Sequence, residues 1–130
     1  VDSRAFAPHI GAHHFPGQAI VCALYLHAGV RAVEIGQLMY GKPNDAGDEE
    51  PVALDLVRLA IPRRVYTQNH LNYVVEAVCD VHAARHALCG LDIVSQPSML
   101  RHFGARLRPR TPAPVRSRAA AAPAPRRRAK

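Results

Sequence analysis

The segment that decides the fold is PGQAIVCALYLHAGVRAVEIG, residues 16–36. Its first part is apolar at three- and four-residue spacing, begins with Pro16 and meets Gly29, a residue type that commonly ends helices. Its second part, residues 30–36, is short, rich in β-branched side chains and closed by Gly36. The segment therefore predicts a helix followed by a strand.

The elements around this segment follow the same two periodicities. Residues 41–51 carry turn-forming residues throughout and predict an exposed loop, and residues 56–61 predict a second strand that ends at Pro62. A second helical pattern begins after Thr67 and runs to Gly90. Further strands are predicted at residues 91–94 and, by alternation, 100–107. The order helix, strand, strand, helix, strand, strand predicts an α+β fold with helices packed on one face of a small mixed sheet.

The charge of the chain is concentrated at one end. The 130 residues carry a net charge of +7, but residues 108–130 hold eight basic residues and no acid, which leaves residues 1–107 at −1. We expect a folded body of residues 1–107 and a disordered basic Arg/Pro/Ala tail of residues 108–130. The tail keeps open an alternative in which it binds nucleic acid through its charge. Because it has no aromatic side chain for base stacking, nucleic acid is not the expected partner.

Hydropathy and cysteine usage bear on the compartment. No apolar run reaches the roughly 20 residues that a bilayer-spanning helix needs, and the first residues do not resemble a secretion signal. The three cysteines include no Cys-x-x-Cys pair and do not form a disulfide framework. These observations argue against membrane and secreted proteins and favour the cytoplasm.

Arg58 is the most informative polar residue because it is the one charge in an apolar strand. A guanidinium there needs a carboxylate or another anion, and its fork suits bidentate binding of a carboxylate. A structural ion pair with Glu34 or Asp55 is one interpretation, and a bound ligand is the other. The residues alone favour the structural pair, because such pairs outnumber ligand sites.

The sequence predicts neither a metal site nor a lysine that could form a Schiff base. His82 and His86 lie one helical turn apart, but the pattern lacks both a neighbouring glutamate and a third ligand at a telling distance, so no metal site is expected. The only lysines, Lys42 and Lys130, fall in the polar loop and at the end of the tail. Neither has the buried setting that Schiff-base chemistry requires.

Four motifs carry a resemblance to a known family. They are FPGQA at residues 15–19, AGVRAVEIG at 28–36, VRLAIPRRVYTQ at 57–68 and LRHFGARL at 100–107. In this order they resemble the C-terminal part of the β-eliminating lyases of aromatic amino acids, the tryptophanase and tyrosine phenol-lyase family. The resemblance covers residues 9–107, which is nearly the whole predicted body.

The resemblance implies a fold, a reaction and a set of site residues. It implies the C-terminal small domain of an aspartate-aminotransferase-like (fold type I) pyridoxal-phosphate enzyme, tetrameric and dependent on a monovalent cation such as potassium. The implied reaction cleaves L-tryptophan to indole, pyruvate and ammonia. Arg58 matches the arginine that binds the substrate carboxylate, which replaces the structural pair as its expected role. His102 and Phe103 match the residues that line the ring pocket, and Ile35 stands where phenol-lyases carry an arginine.

The resemblance also leaves alternatives. Ile35 and His102 favour the tryptophanase side, whereas residues 63–67 are more similar to tyrosine phenol-lyase, so a phenol-lyase-like subclass stays open. The cofactor lysine and the other catalytic, cofactor-binding and cation-binding groups are implied to lie upstream of this chain. We therefore expect the isolated chain to be inactive and to need the N-terminal portion of the enzyme as a partner. A non-catalytic remnant is the third alternative.

Overall fold

The computed structural model describes residues 1–47 and 49–110. Single turns of 3-10 helix lie at Ala12–His14 and Arg85–Ala87. The helices, in chain order, are α1 (Ser3–Phe6), α2 (Pro16–Ala28), α3 (Gln37–Tyr40), α4 (Gln68–Ala83) and α5 (Arg101–Gly104). The strands are β1 (Val33–Ile35), β2 (Leu56–Arg58), β3 (Leu91–Ser95) and β4 (Arg106–Pro109).

The helix predicted from residue 16 onward is confirmed as α2, and the strand predicted over residues 30–36 is present as the shorter β1, Val33–Ile35. Helix α2 has Pro16 in its first turn and ends at Gly29, whose φ of +66° lies in the left-handed region that glycine adopts without a steric penalty. The Gly29 amide donates to the carbonyls of Leu24 and Tyr25, so the last turn is closed by the chain itself.

The mixture of helices and strands is as expected, but the prediction of one mixed sheet is wrong. Strand β1 pairs antiparallel with β2, and β3 pairs antiparallel with β4, as two separate two-stranded sheets within the described residues. Residues 36–55, which include α3, join β1 to β2, and residues 96–105, which include α5, join β3 to β4, so neither pair is a tight hairpin. Helix α4 lies between the two pairs in sequence and separates them.

The strand predicted over residues 100–107 is wrong for its first six residues. Leu100 is left-handed, with φ at +54°, and α5 follows it, so the chain turns where the alternation predicted an extended strand. Strand β4 begins only at Arg106 and continues to Pro109, and the amide of Arg110 donates to the carbonyl of Gly90 at 2.8 Å. Strand β4 thus includes Arg108 and Pro109, the first two residues of the predicted tail. Residues 111–130 of that tail lie outside the described residues.

Helix α4 begins where predicted and ends early. Thr67 forms a capping box with His70, whose ring accepts from the Thr67 amide at 3.2 Å. The helix stops at Ala83 rather than at Gly90, and a 3-10 turn follows. No helix of the described residues combines the length and the apolar character needed to cross a bilayer.

The core lies between α2, α4 and the two sheets. Ile20 and Leu24 of α2 are almost fully buried, as are Phe15 just before that helix and Val57 of β2. Ala77 and Val81 of α4 and Leu91 of β3 complete it from the other side. This packing fixes β1 and β2 by their inner faces and leaves their outer faces open.

Candidate functional site

The strand pair β1–β2 brings Ile35 and Arg58 to one face. Val33 lies directly opposite Arg58 in the register, and side chains opposite each other in an antiparallel pair share a face. Ile35 is two residues from Val33 and therefore points the same way. The intervening residues, Glu34 and Val57, face inward and are buried. Two of the four predicted site residues thus lie together on the open face of this strand pair.

The side chain of Arg58 is exposed and unpaired among the described residues. Within residues 1–47 and 49–110 this side chain makes neither a hydrogen bond nor an ion pair. The two structural partners suggested by the sequence are engaged elsewhere or turned inward. Glu34 accepts from the amides of Leu38 at 2.9 Å and Met39 at 3.1 Å, and Asp55 is only 2% exposed.

The buried carboxylates of Glu34 and Asp55 lie behind this strand pair. The Ser3 hydroxyl donates to the backbone carbonyl of Asp55 at 2.6 Å, whereas neither carboxylate oxygen of Asp55 has a hydrogen-bond partner in the described part of the chain. Burial raises the pKa of Asp55, and the nearby Ser3 hydroxyl and the backbone amide of Gln37 oppose this rise in part. Burial also raises the pKa of Glu34, and the hydrogen bonds that its carboxylate accepts from the amides of Leu38 and Met39 lower it in part.

Helix α5 carries the other two predicted site residues. The rings of His102 and Phe103 lie with their centroids 4.1 Å apart at an interplanar angle of 45°. Phe103 is 82% exposed and presents its ring outward. His102 is half-buried and lines a cavity of about 340 Å³ between the loop after α3 and the turn before α5. An imidazole and an open phenyl ring suit contact with an aromatic group.

Arg101, which the sequence did not single out, fastens α5 to the rest of the fold. Its guanidinium donates to both carboxylate oxygens of Glu49, at 2.5 and 2.9 Å. It also donates to the carbonyls of Gln37 at 2.6 Å and Leu38 at 2.8 Å. The only signal in the sequence was that Arg101 directly precedes His102. Its partner Glu49 lies 52 residues away in a loop with no distinguishing pattern.

The two halves of the candidate site are joined through α3. Ile35 ends β1 just before α3, and Arg101 binds two carbonyls of that helix. Within the described part of the chain, no hydrogen bond, ion pair or ring contact links Ile35 or Arg58 directly to His102 or Phe103. The arrangement offers a cation for a carboxylate on one side and aromatic surface on the other.

The described residues do not fit pyridoxal phosphate. That cofactor is held as a Schiff base by a lysine whose surroundings lower its pKa. Lys42 is the one lysine in the described ranges, and it is exposed on the loop after α3. No group of three or more histidine, cysteine, aspartate or glutamate side chains in those ranges is arranged to hold a metal ion.

Comparison with known proteins points to one family. No protein-family model matches the chain. It is 56% identical over 105 residues to the tryptophanase of Hyphomonas neptunium, covering 81% of this chain and 23% of that protein. The tryptophanase of Rhodobacter capsulatus is 51% identical over 106 residues, covering 82% and 23%. That of Salinibacter ruber is 47% identical over 115 residues, covering 88% and 24%. The chain thus spans about a quarter of the length of these curated relatives.

Proposed function

This chain is related by sequence to the tryptophanases over most of its length, and from that premise we propose that it is the substrate-facing C-terminal part of a tryptophanase-like lyase. The complete enzyme would belong to the aspartate-aminotransferase-like fold and cleave L-tryptophan to indole, pyruvate and ammonia. In this proposal the chain contributes the groups that bind and orient the substrate, and the remaining polypeptide contributes the chemistry on the cofactor.

The unpaired Arg58 on the open face of β1–β2 is the observation that carries the proposal. A guanidinium next to apolar side chains, with no partner among the described residues, is suited to a carboxylate that arrives with the substrate. Bidentate binding would hold the amino acid in one orientation and so align the bond that is to be broken at its α-carbon.

The side chains assigned to the aromatic ring support tryptophan as the substrate. Ile35 offers an aliphatic wall on the same face as Arg58, and His102 and Phe103 offer aromatic surface. An indole has one N–H and no phenolic oxygen, so a wall without a buried cation suits it better than it suits tyrosine. The name shared by the relatives supports the same choice over the phenol-lyase subclass.

The remaining polypeptide of the enzyme is the proposed partner. The relatives are about four times longer than the matched region, and α2 exposes Tyr25 and Leu26, the latter at 84%. These side chains border an apolar cavity of about 390 Å³ that a further part of the enzyme would cover. That part would hold pyridoxal phosphate and potassium and build the cytoplasmic tetramer. The chain by itself would release no indole.

A chimera tests the proposal directly. The matched 105 residues of the Hyphomonas neptunium tryptophanase are replaced by those of this chain, and indole release from L-tryptophan is measured with pyridoxal phosphate. We expect turnover, and we expect Arg58→Ala to raise KM for tryptophan by about 100-fold, because a charge-assisted bidentate contact is lost.

The matched control is Arg106→Ala, which removes the same charge from the exposed strand β4 and should leave KM unchanged. A chimera that assembles as a tetramer and binds the cofactor but releases no indole would contradict the proposal. So would an Arg58→Ala chimera with an ordinary KM. The isolated chain, mixed with cofactor and tryptophan, serves as the blank.

A further inference from the structure

We propose that Arg101, clamped by Glu49, is the positioning residue that sets the orientation of His102 and Phe103 and thereby the selectivity for an aromatic substrate. This inference rests on the proposed function, because it assigns a role within the same site. Arg101 itself is not placed against the substrate. Its side chain is only 10% exposed and that of Glu49 15%, so both are withdrawn from the surface that Phe103 presents.

The Arg101 guanidinium uses four of its five N–H groups in hydrogen bonds. Two donors meet the two oxygens of Glu49, and the remaining contacts reach the carbonyls of Gln37 and Leu38. Its carbon also lies 5.8 Å from the centroid of the Phe15 ring, which belongs to the core. A planar fork with fixed donors can make these contacts together, whereas a lysine ammonium cannot.

Within the described residues, Arg101 makes the only side-chain hydrogen bonds and the only ion pair of helix α5. The helix is four residues long, it follows the left-handed Leu100, and no side chain caps its first turn. A single helical turn fixes several dihedral angles for one hydrogen bond and does not persist by itself in water. The contacts of Arg101, together with the start of β4 on the other side of the turn, therefore place the next two residues, His102 and Phe103.

The Arg101–Glu49 pair, called the clamp here, is also connected through Gln37 to strand β1, which bears Ile35. Gln37 is fully buried, and its amide nitrogen donates to Glu49 at 3.2 Å and to the carbonyl of Glu50 at 2.7 Å. Its amide oxygen accepts from Val52 at 3.1 Å. Gln37 thus holds the loop that carries Glu49, and it lies two residues after Ile35. One continuous set of polar contacts connects the aliphatic wall to the aromatic pair.

The role predicts a defect confined to ring recognition. A displaced α5 would weaken the contact with an aromatic leaving group, while the Arg58 contact with the substrate carboxylate, built on β2, would remain. The chimera described above allows the comparison. L-Tryptophan carries a ring at its β-carbon, whereas β-chloroalanine undergoes the same type of elimination with a leaving group that needs no ring pocket.

We expect Arg101→Ala and Glu49→Ala each to raise KM for tryptophan by about tenfold and to leave KM for β-chloroalanine within about twofold. Arg101→Lys should keep the charge and recover only part of the lost selectivity. The matched control Arg106→Ala should change neither constant. Equal losses for both substrates would indicate a general folding defect and would overturn the positioning role, as would an unchanged KM for tryptophan.

A spectroscopic readout on the chain itself separates this inference from the proposed function. The chain has three phenylalanines, so incorporation of 4-fluorophenylalanine gives three fluorine resonances. Glu49→Ala should shift or broaden the resonance of Phe103 and leave that of the buried Phe6 in place. A chimera without lyase activity would refute the proposed function alone. An unchanged Phe103 resonance, or an equal change at Phe6, would refute the role of the clamp.

Discussion

The two halves of the candidate site are held in place by different physical means. On β1–β2, Ile35 and Arg58 share a face because the backbone register places them there and because Glu34 and Val57 are buried behind them. On α5, His102 and Phe103 follow Arg101, whose guanidinium is bound to the Glu49 carboxylate, and we propose that this pair holds them in place. A position set by register survives the loss of a single side chain, whereas a position set by one ion pair does not.

The largest expected effect comes from breaking the junction between these halves at Gly36. A Cβ at this position would lie 2.7 Å from the Cα of Asp55, which is backbone and cannot give way. We expect Gly36→Ala to lower the free energy of unfolding by about 3 kcal/mol, as overpacking against backbone does. Urea unfolding followed by circular dichroism measures it.

Gly29→Ala is the control for that change. A Cβ at Gly29 would meet no other atom within 4 Å, but the φ of this residue is positive, so the substitution should cost only about 1 kcal/mol of backbone strain. If the two substitutions cost the same, close packing at the junction would not be the reason that glycine occupies position 36.

The difference between the halves also explains what the sequence could predict. Helix α2, strand β1 and the start of α4 follow from periodicity and from local signals such as Pro16, Gly29 and Thr67. Arg58 stands out because it is the one charge in an apolar strand, but the residues alone favour an ion pair with Glu34 or Asp55, and the structure shows no such pair among the described residues. The predicted elements all depend on residues close together in sequence, where side-chain spacing and backbone geometry are directly related.

The errors arose where distant residues decide the structure. Residues 100–104 alternate like a strand, but Leu100 turns the chain and Arg101 binds α3 and Glu49 across 52 residues or more. The division into two sheets likewise depends on which strands meet in space. No short-range pattern encodes such pairings, so the clamp beside His102 was missed although His102 itself was identified through the family resemblance.

A second test concerns the response of the α5 half to acid. The hydrogen bond and charge of Arg101 lower the pKa of Glu49, so its ionised form stabilises the fold above the ordinary glutamate pKa. That stabilisation is lost as the pH falls through the lowered pKa. Glu49→Gln should cost about 2 kcal/mol at pH 7 and should reduce the loss of stability on the acid side. Urea unfolding from pH 3 to pH 7 measures both, and an unaltered acid limb would contradict the assignment.

The smallest expected effect is at Asp55, behind β1–β2, and it is a gain in stability where the other substitutions cause a loss. Burial raises the pKa of Asp55, so the folded chain holds this proton more tightly than the unfolded chain. The contribution of Asp55 is therefore most favourable at low pH and is lost as the pH rises from the ordinary aspartate pKa through the raised one.

Asp55→Asn removes the charge from a carboxylate without hydrogen-bond partners, and we expect it to increase the free energy of unfolding at pH 7 by about 1 kcal/mol. We expect the free energy of unfolding of Asp55→Asn, measured from pH 4 to pH 8, to fall less steeply toward neutral pH than that of the unsubstituted chain. For Glu49→Gln, it should fall as steeply over this range as for the unsubstituted chain. An Asp55→Asn chain that is less stable than the unsubstituted chain at pH 7 would contradict this expectation.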